Sequence, residues 1–271
     1  MPVAWFDGRF LDEERARVPI SDPALGWGIG LFEVARGYER RAFRLARHVE
    51  RLTRSARALG IRVRLPPLDP IVERLFELNR RRNGAVRLTC TGGGRCFLTL
   101  GAIRRLPPGA RTRGAVLRVA DWRRDPRAPL AGHKTLNYYA NMIDRQRAWA
   151  EGAVDSLILG LRGEVLEGTR SNVFAVFDGR IVTPSLALGI LPGITRATVI
   201  ELCRAAGLDV REQRLPLRRL LAADEVFVTS SLMEVVPVRR IAEQRLRAPG
   251  PVTRTVAGLY RTAVEQECRR A

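Results

Sequence analysis

Lysine is nearly missing from this chain: of 47 basic residues one, Lys134, is a lysine, and all the others are arginine. Cysteine is sparse. Cys90, Cys96, Cys203 and Cys268 lie scattered without metal-ligand spacing, so neither a disulfide scaffold nor a zinc site is expected. Two histidines, His48 and His133, suggest neither a metal centre nor a catalytic triad, and no metal is expected. No apolar run approaches the ~18–20 residues that cross a bilayer, and no signal-peptide pattern opens the chain; no membrane role is expected, and the cytoplasm is the expected compartment. Aromatic residues make up only 6% and do not interleave with the basic ones, so a base-stacking surface for nucleic acid is not expected either.

What is present is the composition of a folded protein. The 271 residues are 46% hydrophobic and 28% charged, enough for a real core in one large or two small domains. The net charge of +19 is spread from Arg9 to Arg270 and reads as a solvated surface. A non-catalytic, polyanion-binding protein is the alternative from another class, to be recognised by steep salt dependence. The lone lysine argues for chemistry. A guanidinium stays protonated and cannot form an imine, whereas an amine can act as nucleophile or proton carrier once its surroundings lower its pKa. Wherever charge alone sufficed, this chain uses arginine.

The spacing predicts an α+β chain. A hairpin over 3–6 and 9–11 turns at Asp7-Gly8, and a strand over 31–37 follows the bend Gly26-Trp27-Gly28-Ile29-Gly30. Leu45, Val49, Leu52, Ala56 and Leu59 recur at helical steps, and Gly60 closes that helix. A second helix is expected over 70–79, with paired strands over 85–90 and 96–102 around Gly92-Gly93-Gly94. Arg105-Leu106-Pro107-Pro108-Gly109 reads as a linker, giving a smaller N-terminal domain over 1–108 and a larger C-terminal one over 109–271. Beyond it, strands are expected over 116–119, 156–161, 173–177, 180–182 and 225–229. Helices are expected within 136–152, over 195–206 and over 252–266. Without strict strand–helix alternation, a doubly wound sheet is not expected.

Four further features carry possible chemistry. Gly193-Ile194-Thr195 precedes a helix whose first amides could hold a phosphate, though plain capping by Thr195 explains the same residues. Thr229-Ser230-Ser231 gathers hydroxyls at a strand end, as many turns do. Glu167 is a carboxylate between strands; most such side chains face solvent, but a buried one could keep a ring nitrogen protonated. Arg51, two residues from the apolar stripe member Val49, could reach a phosphate or simply lie on the surface.

The motifs also carry a family resemblance. Lys134-Thr135-Leu136-Asn137-Tyr138-Tyr139-Ala140-Asn141 resembles the lysine segment of the class IV (fold type IV) pyridoxal-phosphate-dependent aminotransferases, a family including branched-chain aminotransferases and 4-amino-4-deoxychorismate lyases. Glu167 to Phe174, Leu191 to Arg196, Glu225 to Ser231 with Glu234 to Val238, Gly28 to Arg36, and His48 to Leu52 are similar to its other motifs, in the same order. The resemblance implies a two-domain fold like that of D-amino-acid aminotransferases, with pyridoxal 5'-phosphate in the interdomain cleft and a homodimeric assembly. It further implies that Lys134 forms the Schiff base and shuttles the proton, Glu167 pairs with the pyridine nitrogen and Tyr139 with the ring 3-hydroxyl. Arg51, the amides of Ile194 and Thr195, and the Ser230-Ser231 pair would bind phosphate, and Leu191 would buttress the ring.

On the substrate side, Phe32, Val34, Arg36, Arg87 and Arg95 are candidates, the arginines as carboxylate receivers. Arg87 and Arg36 stand where branched-chain aminotransferases carry arginine, whereas Gly92 replaces the arginine that the D-amino-acid enzymes use. The run Pro129-Leu130-Ala131-Gly132-His133-Lys134 resembles the lyases, yet Val34 stands where those carry threonine. The expected reaction is therefore transamination between an amino acid, a branched-chain-like L-amino acid favoured, and a 2-oxo acid. The alternative is the lyase reaction giving 4-aminobenzoate and pyruvate.

Overall fold

The computed structural model describes residues 1–268 and divides into two compact units. The first comprises Met1–Arg104, His133–Tyr138 and the C-terminal stretch from Val264; the second comprises Arg105–Gly132 and Tyr139–Ala263.

In the first unit six strands pair antiparallel: β1 (Val3–Phe6), β2 (Arg9–Asp12), β3 (Gly30–Tyr38), β4 (Arg41–Ala42), β5 (Gly84–Thr91) and β6 (Cys96–Gly101). Their order is β2-β1-β6-β5-β3-β4. Asp7 and Gly8 both take positive φ (45° and 92°), the geometry that a two-residue hairpin turn demands and that the Asp-Gly pair predicts. The helices are α1 (Pro23–Trp27), α2 (Leu45–Ala58) and α3 (Asp69–Leu78). The apolar stripe of α2 and the buried Leu75 and Phe76 of α3 close over Trp5, Leu31, Leu88 and Leu98 of the sheet. A β-carbon on Gly37 would overlap the Phe76 ring, so this strand position accepts only glycine.

The second unit holds nine strands: β7 (Ala115–Arg124), β8 (Asp155–Gly160), β9 (Val165–Gly168), β10 (Asn172–Phe177), β11 (Arg180–Thr183), β12 (Val210–Glu212), β13 (Glu225–Ser230), β14 (Glu234–Ile241) and β15 (Gln244–Arg245). The order β12-β11-β10-β13-β14-β7-β8-β9, with β15 on β14, mixes parallel pairs (β11–β12, β14–β7, β7–β8) with antiparallel ones. Its helices are α4 (Tyr139–Ala150), α5 (Ile194–Ala205) and α6 (Leu217–Leu221), together with α7 (Pro251–Cys268) as far as Ala263. The core of this unit is rich in branched residues, among them Leu117, Leu157, Val173, Val226, Val236 and Val238. That suits strands buried on both faces.

Two local expectations change. Strand β7 continues past residue 119 to Arg124, through a register irregularity against β8 between Val119 and Arg123. Helix α4 falls within the expected span and begins at Tyr139, because the preceding residues are tied to the edge of β3. Thr195 does not cap α5: Gly193 takes the cap position, and Thr195 is buried inside the first turn. All four cysteines are free and buried. Among the described residues, no helix is long and apolar enough to cross a membrane.

Candidate functional site

In the first unit the site grows from the alternation of β3. Leu31, Glu33 and Ala35 point toward the helices, so Phe32, Val34 and Arg36 occupy the other face. Val34 lies opposite Arg87 and Phe32 opposite Thr89 on β5, which places those side chains on the same face. The lysine segment lies along the start of β3. Phe32 N donates to Lys134 O (3.0 Å), Leu136 N donates to Gly30 O (3.0 Å), and Thr135 pairs with Leu31.

These backbone ties deliver the half-buried Lys134 side chain onto an aromatic corner. Its Nζ lies 4.4 Å from the Phe32 ring centroid and 5.0 Å from that of Tyr138, and the two rings meet edge to face. Arg87 brings its guanidinium to 4.0 Å from the same Phe32 centroid, and burial lowers its pKa. Four expected residues thus share one face: Lys134, Phe32, Val34 and Arg87, with Arg36 further along it over Tyr38. Arg95 does not join them. It sits at the β5–β6 turn, 46% exposed, and pairs with Asp7 at 2.9 Å. Thr89 adds a buried hydroxyl with no partner among the described residues.

Arg51 is buried, not solvated. Helix α2 sets His48 and Arg51 on its inward face, where both meet Glu33. Arg51 Nε donates to Glu33 Oε1 (2.7 Å) and its terminal nitrogen to Oε2 (2.6 Å), while His48 Nδ1 lies 2.8 Å from Oε2. Burial acts to raise the Glu33 pKa, but the Arg51 charge and these hydrogen bonds overcome it and hold the carboxyl at about 2. Burial lowers the pKa of His48, and the charges of Arg51 and Lys134 reinforce that shift against the pull of Glu33. His133 bonds Ser55 of α2 at 3.0 Å and supports the lysine segment from behind.

In the second unit the site is built around Glu167 at the end of β9. It is buried, contrary to the usual fate of such a carboxylate, and the protein itself supplies its donors. Arg124 donates to Oε1 (2.7 Å), Asn172 Nδ2 to Oε2 (3.3 Å), and Leu191 N lies 3.2 and 3.1 Å from the two oxygens. Leu191 opens the turn that reaches Gly193, Ile194 and Thr195 at the start of α5. No side chain caps this helix, so its first amides remain available to an anion. Thr229 contributes a buried hydroxyl with no partner among the described residues. Ser230 accepts from Met233 N at 3.2 Å, and Ser231 begins the following turn.

Tyr139 is 77% exposed at the start of α4, and the tyrosine beside the lysine amine is instead its neighbour Tyr138. The sequence reading also missed Glu33, Arg124 and Asn172. Glu33 had a signal: it is a carboxylate at a core-facing position between Leu31 and Ala35. Arg124 had none, being one arginine among dozens.

Within the second unit, the uncapped α5 and the orphaned Thr229 hydroxyl suit an anion, and the buried Glu167 suits a basic ring nitrogen. Within the first, Lys134 is an amine that an amine-reactive carbon would suit.

The family described as amino-transferase class IV matches residues 30–241. The chain is similar to the D-alanine aminotransferase of Bacillus licheniformis, at 32% identity over 97% of both chains. It is 30% identical to the aminodeoxychorismate lyase of Bacillus subtilis (strain 168), covering 97% of this chain and 95% of the lyase. The branched-chain-amino-acid aminotransferase of Escherichia coli (strain K12) is also 30% identical, with 93% and 89% covered. Among solved structures, the branched-chain aminotransferase from Thermoproteus uzoniensis with norvaline superimposes with a TM-score of 0.89 at 29% identity, covering 98% of this chain and 96% of that one. The T.th. branched-chain amino acid aminotransferase with pyridoxamine 5'-phosphate gives 0.88 at 28% identity, covering 99% and 95%. The two-unit α+β architecture is therefore the fold type IV architecture of these enzymes.

Proposed function

Since the chain belongs to the class IV aminotransferase family, whose members depend on pyridoxal phosphate, we propose that it transfers an amino group between an amino acid and a 2-oxo acid. A branched-chain-like L-amino acid is the favoured donor. The observation that carries this reading is the placement of the only lysine, with its amine against Phe32 and Tyr138 and a half-buried arginine, Arg87, on the Phe32 ring.

When bound, pyridoxal 5'-phosphate supplies an aldehyde that condenses with amines and a ring that accepts the electrons of a broken Cα–H bond. The chain does the rest. Lys134 gives the amine that holds the cofactor and then carries the proton. Glu167, held in place by the Arg124 guanidinium, would pair with the ring nitrogen and favour its protonated form. The amides of Ile194 and Thr195, the Ser230-Ser231 hydroxyls and Arg51 would hold the phosphate, and Leu191 would buttress the ring. Tyr138 takes the ring-hydroxyl role, since its ring adjoins the Lys134 amine. On the substrate side Phe32 and Val34 would offer an apolar wall and Arg87 a half-buried cation for a carboxylate.

Three further properties go with this reading. The exposed apolar side chains Ile20, Leu25, Trp27 and Ile29 around α1 support a homodimer. The free, buried cysteines support a reducing, cytoplasmic setting. The dispersed basic charge serves solubility, not a nucleic-acid partner.

The lyase reading stays the runner-up on one observation, the similarity to the Bacillus subtilis aminodeoxychorismate lyase over nearly the whole chain. Val34, where the lyases carry threonine, speaks for transamination. The deciding assay offers the purified protein a panel of L-amino acids with 2-oxoglutarate and, in parallel, aminodeoxychorismate. Glutamate formation from a branched-chain donor is the expected result. Pyruvate with 4-aminobenzoate as the only products would overturn it.

A further inference from the structure

Asn172 has no part in the reaction as set out above, yet it joins two pieces of the site. We propose that Asn172 is a positioning residue whose carboxamide fixes the Glu167 carboxylate against the turn that opens the phosphate-binding helix α5. The inference rests on the reading of Glu167 as the partner of the cofactor's ring nitrogen. One amide nitrogen donates twice, to Glu167 Oε2 (3.3 Å) and to Leu191 O (3.1 Å). Both partners are acceptors, which fixes how the carboxamide is turned. Its Oδ1 lies on Gly193, where a β-carbon would overlap it. Gly193 has φ −61°, open to any residue, so the glycine is there for space and the space is filled by Asn172.

The anchor is firm. Asn172 is the first residue of β10, buried and in register with Thr229 of β13. Arg124 holds another side of Glu167, and Leu191 N ties it to the turn through the backbone; Asn172 adds the side-chain link that also takes the Leu191 carbonyl. Without the Asn172 donor, the carboxylate loses one of its buried hydrogen bonds and the Leu191 carbonyl loses its donor. The Leu191 N–H is then the remaining direct tie between Glu167 and the start of α5. The Asn172 side chain therefore reinforces the coupling between the hold on the ring nitrogen and the hold on the phosphate.

The test uses the holoenzyme and two variants, N172A and N172D. The substitution Asn172→Asp keeps the shape but replaces the donor with a second carboxylate beside Glu167, so a space-filling role would survive it and a donor role would not. Measured are the dissociation constant for pyridoxal 5'-phosphate and the pH midpoint at which the bound cofactor changes its absorption. Both variants are expected to bind the cofactor about tenfold more weakly or worse, as loss of a hydrogen bond to a charged group implies. The midpoint is expected to move by about half a pH unit or more. If one variant does not fold, the other carries the measurement. Should both fail, N172S, which keeps a shorter donor, is expected to fall between native and these limits. Affinity and midpoint within twofold and a tenth of a pH unit, roughly, of native would overturn the positioning role alone. A native chain that takes up no pyridoxal 5'-phosphate would overturn the reading beneath it.

Discussion

Glu33 and Arg51 form a two-pronged ion pair, 2.7 and 2.6 Å, inside the first unit, and His48 closes the same carboxylate from its other side. Every member is at most 5% exposed. A buried charge is tolerable only when partnered, so this trio stands or falls together. It also gives Arg51 one fixed orientation, which a solvated guanidinium lacks.

Acid should therefore weaken the fold. The Glu33 carboxyl sits at about 2 in the fold against an ordinary 4.5, so its contribution is present above pH 4.5 and drains away as pH falls toward 2. The size is about 3 kcal/mol at 1.36 kcal/mol per pKa unit. His48, with its pKa lowered from 6.5, acts in the same direction: the unfolded chain takes up a proton below pH 6.5 that the fold resists. Denaturant titrations from pH 7 to pH 3 should show stability falling throughout. E33Q should flatten the low-pH part of that curve and cost roughly 3–5 kcal/mol at pH 7, because Arg51 is left buried without its countercharge. Equal slopes below pH 4.5 in native and variant would remove Glu33 as the cause.

Gly193→Ala tests the close approach at the start of α5. The added methyl has no room beside Asn172 Oδ1, and either the turn or the carboxamide must move. An alanine at a helix cap costs about 1 kcal/mol by itself. The displacement of the first-turn amides adds a loss of phosphate affinity that a remote cap change would not bring. Titration of the variant with inorganic phosphate and with pyridoxal 5'-phosphate should show both binding several-fold more weakly, by roughly 1 kcal/mol each. Unchanged affinity for both would mean that this turn does not hold the phosphate.

The periodic parts of the fold are legible in the sequence. Apolar residues at helical steps mark α2, and Asp-Gly pairs mark the hairpins at Asp7-Gly8 and Asp178-Gly179, where both residues of each pair take positive φ. The strands β9 and β14 do not stand out, because Glu167 within one, and Pro237 and two arginines within the other, break the apolar pattern. The site divides in the same way. Lys134 stands out because its residue type occurs once, and Glu167 because its motif is distinctive. Glu33, Arg124 and Asn172 act through what they touch, and pairings across β3–α2 or β9–β10 leave no mark on linear spacing. Tyr138 and Tyr139 are hard to tell apart for a related reason: adjacent residues leave a helix start at different angles, and only the backbone ties of residues 134–136 to β3 decide which ring meets the amine.

Asp155 is the hub of the turn between β9 and β10. Its carboxylate accepts from Ser156 N (2.9 Å), Thr169 N (3.1 Å) and Ser171 Oγ (2.6 Å), and also from the Thr169 hydroxyl. Since that turn joins Glu167 to Asn172, its shape sets where both side chains begin. D155A should lower stability by roughly 3 kcal/mol, leaving several buried donors without an acceptor, and D155N by less, since an amide oxygen still accepts. Chemical denaturation of both variants checks the order. A D155A variant as stable as native would show that water replaces the carboxylate.

Lys134→Arg isolates the amine from the charge. Arginine keeps the cation above Phe32 and Tyr138, so the fold should survive, with a change in melting temperature of no more than a few degrees. It can neither form an imine nor give up its proton at neutral pH. Turnover should therefore fall by at least about 10²–10⁴, the range expected for loss of a positioned proton carrier, and further where covalent attachment matters as well. Borohydride treatment provides the independent readout: in the native holoenzyme it should add the cofactor's mass to the tryptic peptide containing Lys134, whereas the variant should release its cofactor on denaturation and show no such adduct. With no other lysine in the chain, the experiment has no second side chain to hide behind. A variant retaining even a tenth of native turnover would show that some group other than this amine carries the proton.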